Sequence, residues 1–215
     1  MKKIILLAVL ATPLAAVAQP SSQVAWTADE LNFVKAGNSK KGEELAKGCT
    51  GCHGPSGISS LPGTPSLAGQ LPAYLYKQLL DYANDSRDNP LMSAQAKSLS
   101  KQDAADLAVW FASLPPAFQS SAPDVYKNAE KLVKNGDKER LLAPCEVCHG
   151  SHGQGQKLDV PALGGQNADY LATTLKAFRN GSRHNDIYSR MRLIAKTLND
   201  EEIEELGYFY LSIKK

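Results

Sequence analysis

The chain has 215 residues, a formal net charge of +2 at pH 7, 21% charged residues and 43% hydrophobic residues. This near balance of charge gives no basis for nucleic-acid binding, which needs a concentrated basic surface. Beyond the N-terminus, no apolar run reaches the roughly 20 residues that a membrane-spanning helix requires.

Residues 1–18 have the three-part pattern of a secretory signal peptide. Lys2 and Lys3 form the basic region, an apolar run follows, and residues 16–18 fit the small-residue cleavage rule. A membrane anchor is the alternative, but the run is shorter than a spanning helix. We predict export to the periplasm and a mature chain that begins at Gln19. Removal of the signal peptide takes away two lysines and no acidic residue, which leaves 22 basic and 22 acidic residues in the mature chain.

Helix-start signals and apolar residues at helical spacing recur through the first half, and nothing there reads as a strand. Four helices are predicted here. The first starts at a capping box of Thr27 with Glu30 and runs through Val34, and the second covers residues 39–48. The third starts at Pro72, and the fourth starts at Ser100 with Asp103.

Every cysteine of the chain lies in a Cys-x-x-Cys-His motif, at residues 49–53 and again at residues 145–149. This motif is the attachment signature of c-type haem, in which two thiols bind one porphyrin and the imidazole becomes the proximal iron ligand. Zinc, disulfides and a thioredoxin-like redox pair are the alternatives. The cysteine pairs are separated by 92 residues, however, and zinc gives no reason for a histidine after each pair. A thioredoxin-like pair would need neighbouring strands.

The two halves of the chain repeat one pattern, which indicates an internal duplication. An offset of 96 aligns the two haem-attachment motifs, and an insertion of three residues later raises the offset to 99. The aligned residues include Pro65 with Pro161, Gly69-Gln70 with Gly165-Gln166, Tyr74 with Tyr170, Ser86-Arg87 with Ser182-Arg183, and Met92 with Met191. One haem-binding domain is therefore present twice.

A segment rich in proline and serine separates the repeats and predicts a semi-stiff, extended linker. The predicted division is signal peptide 1–18, N-terminal domain 19–114, linker 115–123 and C-terminal domain 124–215. The predicted helices of the second half lie near 123–134, 168–179, 187–196 and 200–213.

Met92 and Met191 are the candidate sixth ligands of the two irons. Apart from the initiator, they are the only methionines of the chain, and they occupy equivalent places in the repeat. A buried core position is the alternative for either one. A thioether ligand would favour ferrous iron and close the iron to external ligands. His152 and His184 have no equivalent in the other half, so we predict that they lie at the surface or at a haem edge.

Pro65 and Pro161 each follow a proximal histidine by 12 residues, and each offers a backbone carbonyl that could accept the imidazole N–H. The alternative is that each proline only shapes its loop. Arg87 and Arg183 pair with a haem propionate or are solvated charges at helix ends. The matched tyrosines, Tyr74 and Tyr170, are predicted to pack in the core.

Together, Cys-x-x-Cys-His-Gly, Pro-x-Leu-x-Gly-Gln-x-x-x-Tyr-Leu and a methionine before a terminal helix, all present twice, resemble diheme cytochrome c4. The resemblance implies an all-α protein of two tandem class I cytochrome c domains related by a pseudo-twofold axis. It implies two covalently bound haem c groups, with Cys49, Cys52, Cys145 and Cys148 as attachment residues and His53, Met92, His149 and Met191 as iron ligands.

The resemblance further implies a periplasmic electron carrier, loosely associated with the membrane, that passes electrons from the cytochrome bc1 complex towards a terminal oxidase of the cbb3 type. Such a protein is not an enzyme, because no substrate bond is broken. The alternative is a diheme subunit of a periplasmic dehydrogenase, such as a flavocytochrome c sulfide dehydrogenase. A diheme peroxidase would need one open iron, which two equivalent methionines argue against.

Overall fold

The computed structural model describes residues 21–117, 126–156 and 158–213. Over these residues the chain is helical, with two isolated β-bridges and no strand, and this confirms the predicted all-α class. The predicted signal peptide lies outside the described residues, as does most of the predicted linker. None of the described helices has the length and apolar character needed to cross a bilayer.

The described part of the first half contains six α-helices. They are α1 (Ala28–Lys35), α2 (Ser39–Ala46), α3 (Thr50–His53), α4 (Pro72–Ala83), α5 (Pro90–Lys97) and α6 (Lys101–Ser113). Helix α5 was not predicted in this half, although Asn89 caps it and Pro90 occupies its first position. The predicted N-terminal role of Pro72 in α4 is confirmed.

The described part of the second half contains five α-helices and one turn of 3₁₀-helix. They are α7 (Lys127–Asn135), α8 (Glu146–His149), α9 (Ala168–Asn180), the 3₁₀ turn (Ile187–Ser189), α10 (Arg190–Lys196) and α11 (Asp200–Ser212). The 3₁₀ turn lies between Arg183 and Met191, the part of the second repeat that is three residues longer than its equivalent in the first. Tyr188 and Ser189 within it have positive φ angles of 56° and 57°.

The predicted capping box at Thr27 and the predicted helix start at Ser100 have different outcomes. Ser100 and Asp103 form a complete box at the start of α6. Thr27 accepts a hydrogen bond from the Glu30 N–H, but the Glu30 carboxylate turns away and accepts from Tyr76 and Lys101. The first box is therefore only half formed, because tertiary partners compete for its carboxylate.

Each half has its own apolar core. In the first half α6 packs on α1, α2 and α4, and in the second half α11 packs on α7 and α9. The buried core residues include Val34, Leu75, Tyr76, Leu107 and Phe111 in the first half, and Leu132, Val133, Leu171, Ile203 and Leu206 in the second. Each core stands beside one Cys-x-x-Cys-His turn, since Cys49 and Cys145 pack against them.

The start of the predicted linker is packed between the two halves. Ala117 is 5% exposed, and a Cβ atom added to Gly165 would lie against its carbonyl oxygen. A Cβ atom on Gly69 would similarly meet Pro116 at 2.6 Å. Because Gly69 and Gly165 lack side chains, Pro116 and Ala117 can pack directly against them. Residues 116 and 117 therefore belong to the interface between the halves.

Candidate haem sites

Each Cys-x-x-Cys-His motif closes one turn of helix. The His53 N–H donates to the Cys49 carbonyl at 3.0 Å, and the His149 N–H donates to the Cys145 carbonyl at 2.9 Å. This places the first cysteine and the histidine of each motif one helical turn apart, on the same face. Both thiols and the imidazole are therefore presented from a single short element in each half.

The four thiols do not pair with one another. Cys52 and Cys148 are exposed, whereas Cys49 and Cys145 are half-buried. Among the described residues, no group of three or more His, Cys, Asp or Glu side chains comes together as a metal site would require. The two cysteine pairs therefore do not come together as a shared zinc site would require.

The imidazoles of His53 and His149 are both buried and fixed in orientation. His53 Nδ1 lies 2.9 Å from the Pro65 carbonyl oxygen, and His149 Nδ1 lies 3.0 Å from that of Pro161. A carbonyl can only accept, so Nδ1 carries the hydrogen and Nε2 carries the lone pair. The predicted role of these carbonyls is confirmed.

The surroundings keep each imidazole neutral. Burial lowers the pKa of His53 and of His149, and the hydrogen bond to a proline carbonyl opposes this effect only in part. A neutral imidazole with a free Nε2 lone pair is the form that binds iron. Two unpaired thiols and such an imidazole on one turn make a donor set that fits covalent haem c in each half.

Met92 and Met191 take equivalent places near the N-termini of α5 and α10, and both are half-buried. The Met92 N–H donates to the capping side chain of Asn89 at 3.0 Å. In the second half the insertion supplies Asp186, which accepts from the Arg192 N–H and side chain. The two methionine-bearing helices are thus held by different contacts.

Arg87 and Arg183 are buried between the halves, so the interpretation of solvated helix-end charges is wrong. Arg87 donates to the Tyr170 hydroxyl at 3.1 Å, and Arg183 donates to the Tyr74 hydroxyl at 3.1 Å. Both guanidinium groups also donate to Gln78 Oε1. The predicted core tyrosines therefore lie at the interface, where each pairs with an arginine of the other half.

This interface carries positive charge that no carboxylate neutralises, since neither Arg87 nor Arg183 forms an ion pair with any described residue. Burial alone would raise the pKa of Tyr170, but the positive charges of the two guanidinium groups lower it. Buried cations require anionic partners. Two buried arginines at the contact between the halves therefore fit the carboxylates of haem propionates.

A second buried group at the interface was missed by sequence reasoning. Lys77 and Asp81 form an ion pair of 2.6 Å with side chains only 2% and 0% exposed, and Lys77 also donates to the Asn185 carbonyl at 2.7 Å. Their spacing of four residues on a helix is the only sequence signal, and it is also typical of solvated pairs. His152 and His184 lie at the surface, as predicted.

Comparison with known proteins identifies the family. Residues 39–115 and 133–214 each match the family model for cytochrome c. The chain is 38% identical over 178 residues to cytochrome c4 of Thiocapsa roseopersicina, which covers 81% of this chain and 92% of that one. The chain belongs to the cytochrome c4 family. Membership makes it a diheme electron-transfer cytochrome, and it confirms the resemblance seen in the sequence motifs.

Solved structures agree with this assignment. The reduced recombinant cytochrome c4 of Pseudomonas stutzeri matches with a TM-score of 0.80 and 34% identity, and the match covers 83% of this chain and all of that one. The predicted fold of two tandem cytochrome c domains is thereby confirmed.

Two further relatives belong to thiosulfate dehydrogenase systems. A thiosulfate dehydrogenase electron acceptor of Stutzerimonas stutzeri is 32% identical and covers 78% of this chain and 80% of its own length. Thiosulfate dehydrogenase TsdBA of Marichromatium purpuratum matches with a TM-score of 0.75 and 31% identity, over 80% of this chain and 40% of that one.

Proposed function

We propose that this chain is a periplasmic carrier of single electrons that holds one covalently bound haem c in each half. One observation carries the proposal, namely that the same donor arrangement occurs twice. The proposed attachment residues are Cys49, Cys52, Cys145 and Cys148, and the proposed iron ligands are His53, Met92, His149 and Met191.

The residues of the chain suit electron transfer rather than catalysis. When bound, the haem groups supply one-electron redox chemistry at iron. The Pro65 and Pro161 carbonyls hold the imidazoles in place, and the Met92 and Met191 thioethers would exclude external ligands from the iron. Ligands that are kept in both oxidation states would make the rearrangement during each transfer small.

The periplasmic location rests on the signal-peptide pattern of residues 1–18 and on the haem-attachment motifs. We propose the cytochrome bc1 complex as donor and a terminal oxidase of the cbb3 type as acceptor, which the carrier would meet by peripheral association with the membrane. The support is the cytochrome c4 resemblance, together with a nearly neutral exported chain that must dock through local patches.

A second candidate function is that of a diheme subunit that accepts electrons from a periplasmic dehydrogenase. The likeness to a thiosulfate dehydrogenase electron acceptor and to TsdBA favours a sulfur-compound dehydrogenase of that kind over the flavocytochrome c sulfide dehydrogenase considered from sequence. The two functions differ in assembly. Gel filtration of the native periplasmic fraction separates them, because a dehydrogenase subunit elutes with a larger catalytic chain and a free carrier does not.

The ligand assignment is tested by replacing one methionine at a time. We expect the reduced wild-type protein to ignore carbon monoxide, because both irons have six protein or porphyrin ligands. Met92→Ala and Met191→Ala should each open one iron, so that half of the haem absorbance shifts on addition of carbon monoxide.

Met92→His serves as the matched control, because imidazole keeps the iron closed. A wild-type protein that binds carbon monoxide, or a Met→Ala variant with unchanged spectra, would contradict the corresponding ligand assignment.

A further inference from the structure

Two glutamines make the same pair of contacts across the boundary between the halves. Gln166 Nε2 donates to the Ser66 carbonyl at 2.9 Å, and Gln166 Oε1 accepts from the Ser66 N–H at 2.8 Å. Gln70 makes the equivalent contacts with Ala162, also at 2.9 and 2.8 Å. Both glutamines are buried. Each amide thus binds both backbone groups of one residue in the opposite half.

The orientation of each glutamine side chain is fully determined. Gln166 Oε1 also accepts from the Asn167 N–H at 2.9 Å, and Gln70 Oε1 also accepts from the Leu71 N–H at 3.0 Å. An amide oxygen can only accept and an amide nitrogen can only donate. Two N–H donors at one end and a carbonyl at the other therefore allow a single orientation, which holds the contact rigid.

The peptide group that each glutamine binds is the one that holds a proximal histidine. The Ser66 N–H and the Pro65 carbonyl belong to the same planar peptide, and that carbonyl accepts from His53 Nδ1. A hydrogen bond at the N–H of a peptide polarises it and makes its carbonyl a stronger acceptor. A continuous chain of hydrogen bonds thus runs from Gln166, in the second half, to the imidazole of the first.

The same chain runs in the opposite direction. Gln70, in the first half, binds the Ala162 N–H, and the Pro161 carbonyl of that peptide accepts from His149 Nδ1. Neither glutamine hydrogen-bonds to the peptide that holds the histidine of its own half. Each glutamine therefore acts on the histidine of the opposite half, so the orientation of each proximal imidazole depends on a contact from the other domain.

We propose that Gln70 and Gln166 are positioning residues that set the orientation and basicity of the proximal imidazole in the opposite half. This inference rests on the proposed ligation of haem iron by His53 and His149. A stronger hydrogen bond from Nδ1–H makes Nε2 more basic, and a more basic ligand stabilises ferric iron. Loss of a glutamine amide should therefore raise the reduction potential of the haem in the other half.

The test is Gln166→Met, which keeps the side-chain volume but removes the two hydrogen bonds to Ser66 and the one from the Asn167 N–H. We expect the one-electron reduction equilibrium of the His53 haem to shift about three- to tenfold towards the reduced form, which is about 30–60 mV at 59 mV per tenfold change. The His149 haem should shift much less. Gln70→Met should give the reverse pattern. A redox titration followed by NMR, with haem methyl resonances assigned to each half, reads both potentials separately.

Asn167→Ser is the matched control for a purely structural role. It removes the contact from Asn167 Nδ2 to the Leu61 carbonyl across the same boundary, at 3.3 Å, but keeps an oxygen to cap α9. It leaves the Pro65 and Pro161 peptides untouched, so neither potential should move selectively. Equal shifts of both haems in Gln166→Met, a larger shift in the half that carries the substitution, or no shift would overturn the proposal.

Gln166→Glu provides a second variant should Gln166→Met fail to fold. A carboxylate still accepts from the Ser66 N–H, and its charge strengthens that bond, while the hydrogen bond to the Ser66 carbonyl is lost. The potential of the His53 haem should therefore fall more than that of the His149 haem, and equal changes would contradict the proposal. The His53 Nδ1–H resonance of the reduced protein reports the same bond directly and should move upfield only when that bond weakens.

The haem content of each variant distinguishes this inference from the proposed function. A pyridine haemochrome spectrum that gives fewer than two haems per chain in the wild-type protein would overturn both. Two haems per chain, together with a reduction potential that does not shift selectively in the opposite half, would overturn only the role of the glutamines.

Discussion

At the scale of single residues, Arg140 connects the segment before the second haem-attachment turn to the end of the chain. Its guanidinium group donates to Asp137 at 2.9 Å, to both oxygens of Glu202 at 2.7 and 2.9 Å, and to the Thr197 carbonyl at 2.9 Å. Such charge-assisted pairs are stronger and more directional than neutral hydrogen bonds. The segment that leads into the Cys145 turn is therefore anchored on α11.

Replacing Glu202 by Gln should destabilise the second half by about 1–3 kcal/mol at pH 7. The hydrogen bond from Arg140 lowers the pKa of Glu202, against the effect of burial. Because the folded pKa is below the unfolded one, this stabilisation is present above the unfolded pKa of about 4.3 and is lost as pH falls through the folded pKa. Urea unfolding at pH 7 and pH 3 measures the difference, which should shrink at pH 3.

Glutamine keeps the capping role of residue 202, since Gln also occupies the third position of capping boxes. Glu201→Gln, at the exposed neighbouring position, is the control and should change stability by less than about 0.5 kcal/mol. A loss in Glu202→Gln that is equally large at pH 3 would show that the ion pair is not its cause.

At the scale of helices, one glycine in each half permits close packing against another helix. A Cβ atom on Gly42 of α2 would lie 2.1 Å from the Asp106 carbonyl oxygen of α6. A Cβ atom on Gly207 of α11 would lie 2.7 Å from the Ala168 carbonyl oxygen of α9. Since backbone atoms cannot move aside as flexible side chains do, these helices approach as closely as they do only because both positions lack a side chain.

Gly42→Ala should therefore destabilise the first half by about 1–3 kcal/mol, the usual range for overpacking. Helix propensity alone predicts the opposite sign, a gain of about 1 kcal/mol. Glu43→Ala, at the exposed next position of the same helix, is the control and should change stability by less than about 0.5 kcal/mol. Urea unfolding followed by circular dichroism gives the comparison, and a stabilised Gly42→Ala protein would show that α2 and α6 are not in backbone contact.

At the scale of the whole molecule, the contact between the halves is only partly symmetric. The arginine–tyrosine and glutamine contacts occur in matched pairs, but the buried Lys77–Asp81 pair has Thr173 and Ala177 at the equivalent positions. Asp81 also accepts from Ser22 at 2.6 Å, so the N-terminal segment contributes to the same network. A fixed charge pair on one side only gives the two domains different electrostatic surroundings.

Lys77→Met should cost about 3–5 kcal/mol, because it leaves the Asp81 carboxylate buried without its cation. Lys77→Met combined with Asp81→Leu should recover much of that loss, since neither charge is then buried. Lys97→Met, in the exposed Lys97–Asp85 pair, should cost less than about 1 kcal/mol. Thermal unfolding of the holoprotein measures all three, and a Lys77→Met variant as stable as Lys97→Met would contradict the burial of this pair.

The sequence by itself determined the features that depend on neighbouring residues. Cys-x-x-Cys-His closes a helical turn through local hydrogen bonds, so its spacing is enough to bring two thiols and an imidazole together. The duplication and the helical class are likewise visible as repeated spacing. The proline carbonyls also followed from spacing, because each lies in the loop that immediately succeeds its histidine. The sixth-ligand role of Met92 and Met191 stays a prediction.

Only the tertiary structure decided which polar residues are buried between the halves. Arg87, Arg183 and Lys77 have the sequence context of solvated helix charges, and Gln70 and Gln166 were visible in the repeat without any assigned role. Their partners in the opposite half lie between 83 and 109 residues away along the chain. A periodic pattern shows which face of a helix is apolar but not what covers its polar positions, because that depends on how two folded domains meet.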